Sequence, residues 1–111
     1  MRKFGVIGDP ISQSLSPKLH SEIFRQIGLS ASYEKVNVTK SNLRKFLFNN
    51  NFNGFNVTIP HKITVAKYFS NGDEASMIIP AVNCIYNNKS YNTDWIGFSH
   101  AIKHNGINLK E

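Results

Sequence analysis

The residues of this chain whose types and spacing could do chemistry cluster first in Asn56-Val-Thr-Ile-Pro-His-Lys62, reached through Gly54-Phe55. Val57 and Ile59 alternate with Asn56 and Thr58, so a short strand buries one face and offers polar side chains on the other. Pro60 has no N–H and cannot continue a central strand, so pairing should stop there. Lys62 then stands just past a strand end, at the start of a helix. An ammonium held near Asn and Thr side chains at such a corner suits a small polyhydroxylated substrate. A solvated surface lysine is the other reading of this stretch taken alone.

The elements that must position these groups follow from the pattern. Lys3 to Gly8 is an apolar, β-rich run closed by the turn residues Gly8-Asp9-Pro10. A hydroxyl-rich segment, Ile11 to Ser16, leads into a helix over Pro17 to Ile27, with Ser16 as N-cap, Pro17 in the first turn and Gly28 as stop. Leu19, Ile23, Phe24 and Ile27 share its apolar face. Tyr33 to Val38 reads as a second strand. Thr39 or Ser41 caps a helix carrying Leu43, Phe46 and Leu47. After the Asn56 strand, a helix runs from His61 to about Phe69 and ends at Ser70-Asn71-Gly72. Asp73 to Ile79 is a short helical turn. Ala81 to Asn87 and Ser90 to Thr93 form a hairpin through Asn87-Asn88-Lys89. Thr93 or Asp94 caps a last helix with Trp95, Phe98, Ala101 and Ile102 inward and Gly106 at its end.

Strands alternating with helices predict an α/β fold: a mostly parallel mixed sheet with helices on both faces and one antiparallel hairpin strand. Ligands of such sheets sit outside the carboxyl ends of the strands. That rule gathers Ser14, Ser16, Asn56, Thr58, Lys62, Asn83 and Asp94 near one rim.

The 111 residues are one domain's worth, and 41% hydrophobic with 18% charged residues is a globular balance. No apolar run approaches the roughly 20 residues of a membrane span, and the N-terminus is too short in apolar residues for a signal peptide. A cytoplasmic protein is expected, and the single Cys84 fits that compartment as a small buried hydrophobe. The formal charge of +6 invites a nucleic-acid reading. Lys and Arg are scattered, however, and the densest group, Lys40, Arg44 and Lys45, lies on one helix's outer face without interleaved aromatics. An anionic small substrate benefits from the same field. His100 and His104 have helical i, i+4 spacing but no acidic third ligand, so no metal site is expected. His20 is expected to pack or hydrogen-bond, and His61 stands beside Lys62 as an open question.

Three separated stretches line up in order: GDPISQSLSPKLH (Gly8 to His20), GFNVTIPHK (Gly54 to Lys62) and PAVNCIYNNKSYNTDWIGF (Pro80 to Phe98). Together they resemble the N-terminal, substrate-binding domain of shikimate dehydrogenase over essentially the whole chain. Gln13 stands where the family usually has His, and Cys84 where it usually has Thr. Gln exchanges hydrogen bonds as His does but cannot titrate, so no proton role is expected there.

The resemblance implies reversible, NADPH-dependent reduction of 3-dehydroshikimate to shikimate in aromatic amino acid (chorismate) biosynthesis. It assigns Lys62 and Asp94 as the catalytic pair: the ammonium stabilises alkoxide character and delivers a proton, and the carboxylate orients it and grips a hydroxyl. Helix capping is the alternative role for Asp94. Ser14 and Ser16 match the carboxylate-binding hydroxyls, a role compatible with capping because a helix N-terminus already faces an anion site. Asn56, Thr58 and Asn83 match positions that bond ring hydroxyls, although a buried Asn56 could equally tie loops to backbone. Asn92 is read as support for Asp94.

Gly5-x-x-Gly8 is not a dinucleotide fingerprint. The resemblance therefore implies that residues 1–111 are the substrate domain, and that NADP belongs to a Rossmann-type domain whose first strand should begin near Leu109. The isolated chain should be inactive. Two other readings remain: a quinate/shikimate dehydrogenase relative using NAD, and a non-catalytic shikimate-binding module. The presence of both Lys62 and Asp94 speaks against the last, since a binder needs no proton-transfer pair.

Overall fold

A computed structural model describes residues 1–106, in the order β1 (Arg2–Gly8), α1 (Ser16–Ile27), β2 (Ala31–Asn37), α2 (Leu43–Asn49), β3 (Gly54–Val57), α3 (Lys62–Ala66), β4 (Ser70–Asn71), α4 (Glu74–Ile78), β5 (Cys84–Tyr86), β6 (Lys89–Tyr91) and α5 (Thr93–His104). The expected strand start near Leu109 lies outside the described residues. The strands form one sheet in the order β2-β1-β3-β5-β6-β4. β1 pairs in parallel with β2 and β3, β4 pairs in parallel with β6, and β5 runs antiparallel to both of its neighbours. The mixed α/β sheet with a single reversed strand is the architecture the sequence predicted.

Strand periodicity sorts the two faces. Ile7, Phe55, Val57 and Ile85 point to a core closed by Leu43 and Leu47 of α2, Val65 of α3, and Val82. Val6 points the other way, to a smaller cluster with Ile11 and Tyr33 on which Phe4 and Phe24 pack. Asn56, one residue from Phe55 and Val57, therefore shares the α1 side with Val6. The hairpin turns through Asn87 and Asn88, both at positive φ (52° and 60°), as a two-residue primed turn requires.

Several expectations change. Ser16 is the first residue of α1 rather than its cap; Leu15 precedes it and makes no side-chain cap bond, while Gly28 ends the helix at φ 71° as expected. Leu19 and Ile27 are 59% and 67% exposed: Phe24 and His20 pack their rings on Tyr33 of β2, and nothing among the described residues covers these two positions of the apolar stripe. A 3-10 turn over Lys40–Asn42 opens α2, and no side chain caps it. The third helix is only five residues long, and Ser70–Asn71, expected as a turn, pairs with β6 as an edge strand. Asn92, not Thr93 or Asp94, caps α5. Trp95, Phe98 and Ala101 of α5 are exposed, since among the described residues the helix has little packed against it beyond α4.

Candidate active site

β1 and β3 both end at one rim. There the chain turns through Thr58, whose N–H donates to Ile7 O (3.0 Å) and whose carbonyl accepts from the His61 N–H (3.0 Å). This turn delivers Lys62 as the first residue of α3, and the Lys62 carbonyl is pinned by the Val82 N–H at 3.0 Å. His61 is fully buried with Nε2 on the Val38 carbonyl, so it anchors the corner and does not face a ligand. Because β5 is reversed, Asn83 reaches the same rim from before its strand, whereas Asp94 arrives from beyond the end of β6.

Asp94 is placed by a knot of polar groups beneath it. Asn92, 7% exposed, accepts from Trp95 N–H through Oδ1 (2.9 Å) and donates from Nδ2 to Ala81 O (2.9 Å). Its own N–H donates to the Asp73 carboxylate at 3.1 Å, and Asp73 also caps α4 by accepting from Ser76 N–H. The first turn of α5 is thereby fixed, and the Lys62 ammonium donates to Asp94 Oδ2 at 2.9 Å. The two side chains are 37% and 63% exposed, so the pair is open to solvent rather than sealed in the core.

A hollow of about 210 Å³ opens over this pair, lined by Ser16, His20, Asn56, Thr58, Lys62, Asn83 and Asp94, with Val6 and Val57 also at its boundary. Every site residue expected from the sequence is thus brought together except Ser14. The Ser14 hydroxyl lies outside the lining and accepts from the Ser16 N–H at 3.2 Å, so it steadies the head of α1. His20, expected only to pack or hydrogen-bond, does both and also lines the hollow. Its ring stacks on Tyr33 (centroids 4.2 Å apart, planes at 7°) and its Nδ1 bonds the Ser16 carbonyl at 2.9 Å. Its spacing of four from Ser16 on one helix is the signal that could have found it. Larger hollows elsewhere, including one of about 430 Å³ at the opposite edge of β3 and the hairpin turn, bring no comparable set of charged partners together.

Chemically, the arrangement offers an ammonium, a carboxylate, two amides and two hydroxyls to a ligand a few ångströms across. An amine beside a carbonyl oxygen can stabilise alkoxide character and supply a proton. Gly5 and Gly8 do not cradle phosphate. A Cβ on Gly5 would sit 2.6 Å from Glu34 O and one on Gly8 2.5 Å from the Thr58 methyl, so both are buried packing glycines of β1. These residues do not fit a dinucleotide. Among the described residues no cluster of His, Cys, Asp or Glu could hold a metal ion, and no helix is long and apolar enough to cross a membrane.

Comparison with known proteins decides the family. The profile described as the shikimate dehydrogenase substrate binding domain matches residues 6–85. This chain belongs to that family. A shikimate dehydrogenase (NADP(+)) of Nitrosopumilus maritimus is 42% identical over 116 residues, covering 98% of this chain and 42% of the relative. The crystal structure of shikimate dehydrogenase from Thermotoga maritima superposes with a TM-score of 0.81 at 37% identity, over 98% of this chain and 43% of that one. Shikimate 5-dehydrogenase from Thermus thermophilus, solved with NADP(H) and shikimate, gives a TM-score of 0.80 at 32% identity, over 99% of this chain and 44% of that one. The chain spans less than half the length of the shikimate dehydrogenases it matches.

Proposed function

We propose that this domain binds shikimate and 3-dehydroshikimate within an NADP-dependent shikimate dehydrogenase of the cytoplasm, and that Lys62 and Asp94 are its catalytic pair. The observation that carries the reading is the 2.9 Å contact between them at the lip of a hollow otherwise lined by amides and hydroxyls. Ser16 at the head of α1, with Ser14 beside it keeping an O–H to donate, receives the ligand's carboxylate. Asn56, Thr58 and Asn83 receive ring hydroxyls. Lys62 donates a proton to the carbonyl oxygen as it becomes an alcohol, and takes one back in the reverse direction. Asp94 holds the ammonium in place and accepts from a neighbouring hydroxyl. The hydride source, NADPH, is assigned to a separate Rossmann-type domain, in keeping with the packing role of Gly5 and Gly8 and with the NADP(H) and shikimate in the Thermus structure.

In the full-length protein, Lys62→Ala should lower kcat by about 10²- to 10⁴-fold, the range for general acid–base groups, while leaving KM for shikimate within a few-fold. The pair is partly exposed, so folding stability should change by no more than about 1 kcal/mol. A large loss of shikimate affinity with unchanged turnover would favour the non-catalytic module instead. The 111-residue chain alone should show no NADPH-dependent turnover.

A further inference from the structure

Tyr33 is buried on β2 and does not line the hollow, yet its hydroxyl lies 2.6 Å from Asn56 Oδ1. The chemistry of the partners fixes which way the two site amides face. The other end of the Asn56 amide meets the Asn83 carbonyl at 3.2 Å. A carbonyl can only accept, so that end is the NH₂ group, and the end facing Tyr33 is the oxygen. Asn83 is fixed the same way: the Thr93 backbone N–H, which can only donate, meets its Oδ1 at 2.9 Å, and its Nδ2 donates to Thr93 Oγ1 at 2.8 Å. Each amide oxygen has one of its two lone pairs engaged, and each NH₂ group has one N–H left over.

We propose that Tyr33 is a positioning residue: by holding the Asn56 carbonyl oxygen it fixes the amide with its NH₂ group on the Asn83 side and its spare N–H for the ligand, so the hollow favours at Asn56 a group that receives a hydrogen bond. This inference rests on the function proposed above and specifies its polarity. A ring hydroxyl that accepts from Asn56 and Asn83 must send its own protons elsewhere, and Asp94 is the carboxylate lining the hollow among the described residues. The stacked His20 ring, bonded to the Ser16 carbonyl, holds the phenol from its face and joins the anion end of the hollow to the Asn56 end.

The test is Tyr33→Phe, which keeps the ring and its stack on His20 and removes only the hydroxyl. In the full-length dehydrogenase, KM for shikimate should rise at least about threefold with kcat within twofold, the scale of one lost hydrogen bond. Phe24→Leu, which loosens the same cluster without touching Asn56, should lower Tm and leave KM unchanged. A KM shift below threefold in Tyr33→Phe, or an equal shift in both variants, overturns the inference. A second readout does not depend on shikimate. The Asn56 side-chain NH₂ signals of the ¹⁵N-labelled chain should exchange with solvent faster in Tyr33→Phe than in wild type, and unchanged exchange would also overturn it. If the wild-type dehydrogenase ignores shikimate, the proposed function fails, and the amide signals still decide the role of Tyr33.

Discussion

Asn92 anchors the turn that carries Asp94, half of the proposed catalytic pair, and its removal has a magnitude that follows from its contacts. Asn92→Ala deletes the N-cap acceptor of Trp95 N–H and the donor to Ala81 O, while the backbone bond to Asp73 survives. Loss of an N-cap to alanine costs about 1 kcal/mol. A carbonyl left unmet in a site that is nearly sealed costs about 1–3 kcal/mol more. The sum is about 2–4 kcal/mol, which for a domain of this size lowers Tm by roughly 8–16 °C. Asn92→Ser keeps a capping oxygen but cannot reach Ala81, so its Tm should fall between wild type and Asn92→Ala. Thermal unfolding followed by far-UV circular dichroism measures the order, and amide exchange at Trp95 locates the loosening at the start of α5. In the full-length protein kcat should fall as well, because Asp94 sits in the turn that frays. Asn92→Ala melting within 3 °C of wild type, or Asn92→Ser no better than Asn92→Ala, would refute the reasoning.

Burial raises the Tyr33 hydroxyl to about 12, with the Ser16 hydroxyl pulling it down and the Cys84 thiol adding to the rise. The unfolded chain releases that proton near pH 10, so between about pH 10 and 12 the unfolded state binds fewer protons and stability should fall as pH rises. Tyr33→Phe should flatten that part of the stability profile, and denaturant melts across this window read it. Gly8→Ala places a methyl 2.5 Å from the Thr58 methyl and 2.9 Å from the Ile59 carbonyl. It should destabilise the fold by about 1–3 kcal/mol and weaken shikimate binding to the full-length enzyme, because the displaced residue lines the hollow. Unaltered affinity and Tm in Gly8→Ala would show that the turn yields freely.

The sequence carried the sheet and most of the site for the same reason. In Asn56-Val-Thr-Ile the register that buries Val57 puts Asn56 on the side where Val6 and α1 enclose the hollow, but Ile59, expected on the buried face with Val57, is 73% exposed because β3 ends at Val57. Lys62 follows because Pro60 ends the pairing. What escaped the sequence was decided by partners distant along the chain. Asn92, Thr93 and Asp94 are all competent caps. Asn92 holds the position because its amide can accept from Trp95 and donate to Ala81 at once, and neither partner is visible in a local window. The two-residue β4 exists through its pairing with β6 and has no pattern of its own. Leu19 and Ile27 have the spacing of a buried stripe, but periodicity reports which face would be buried, not whether anything in these residues buries it.

A hydrogen-bond donor or acceptor reads its partner's chemistry as well as its position, and that governs what a site of mixed amides and hydroxyls can select. Taken as residue types, Asn56 and Asn83 are indifferent, since each amide carries both polarities. In the fold each has one of its oxygen's two lone pairs taken by a neighbour, one by a phenol and one by a backbone N–H, and Lys62 can only donate. The wall is therefore biased toward donation, and the only carboxylate among the described lining residues, Asp94, is the same group that steadies the ammonium. A ligand rich in oxygen acceptors, with a hydroxyl proton to give to Asp94, satisfies both ends. One that presents amines toward Asn56 and Asn83 leaves the spare N–H groups facing donors, at the cost of unmet polar groups. On the proposed role of Tyr33, selectivity is set one layer behind the residues that line the hollow, by Tyr33 and by the backbone of Thr93.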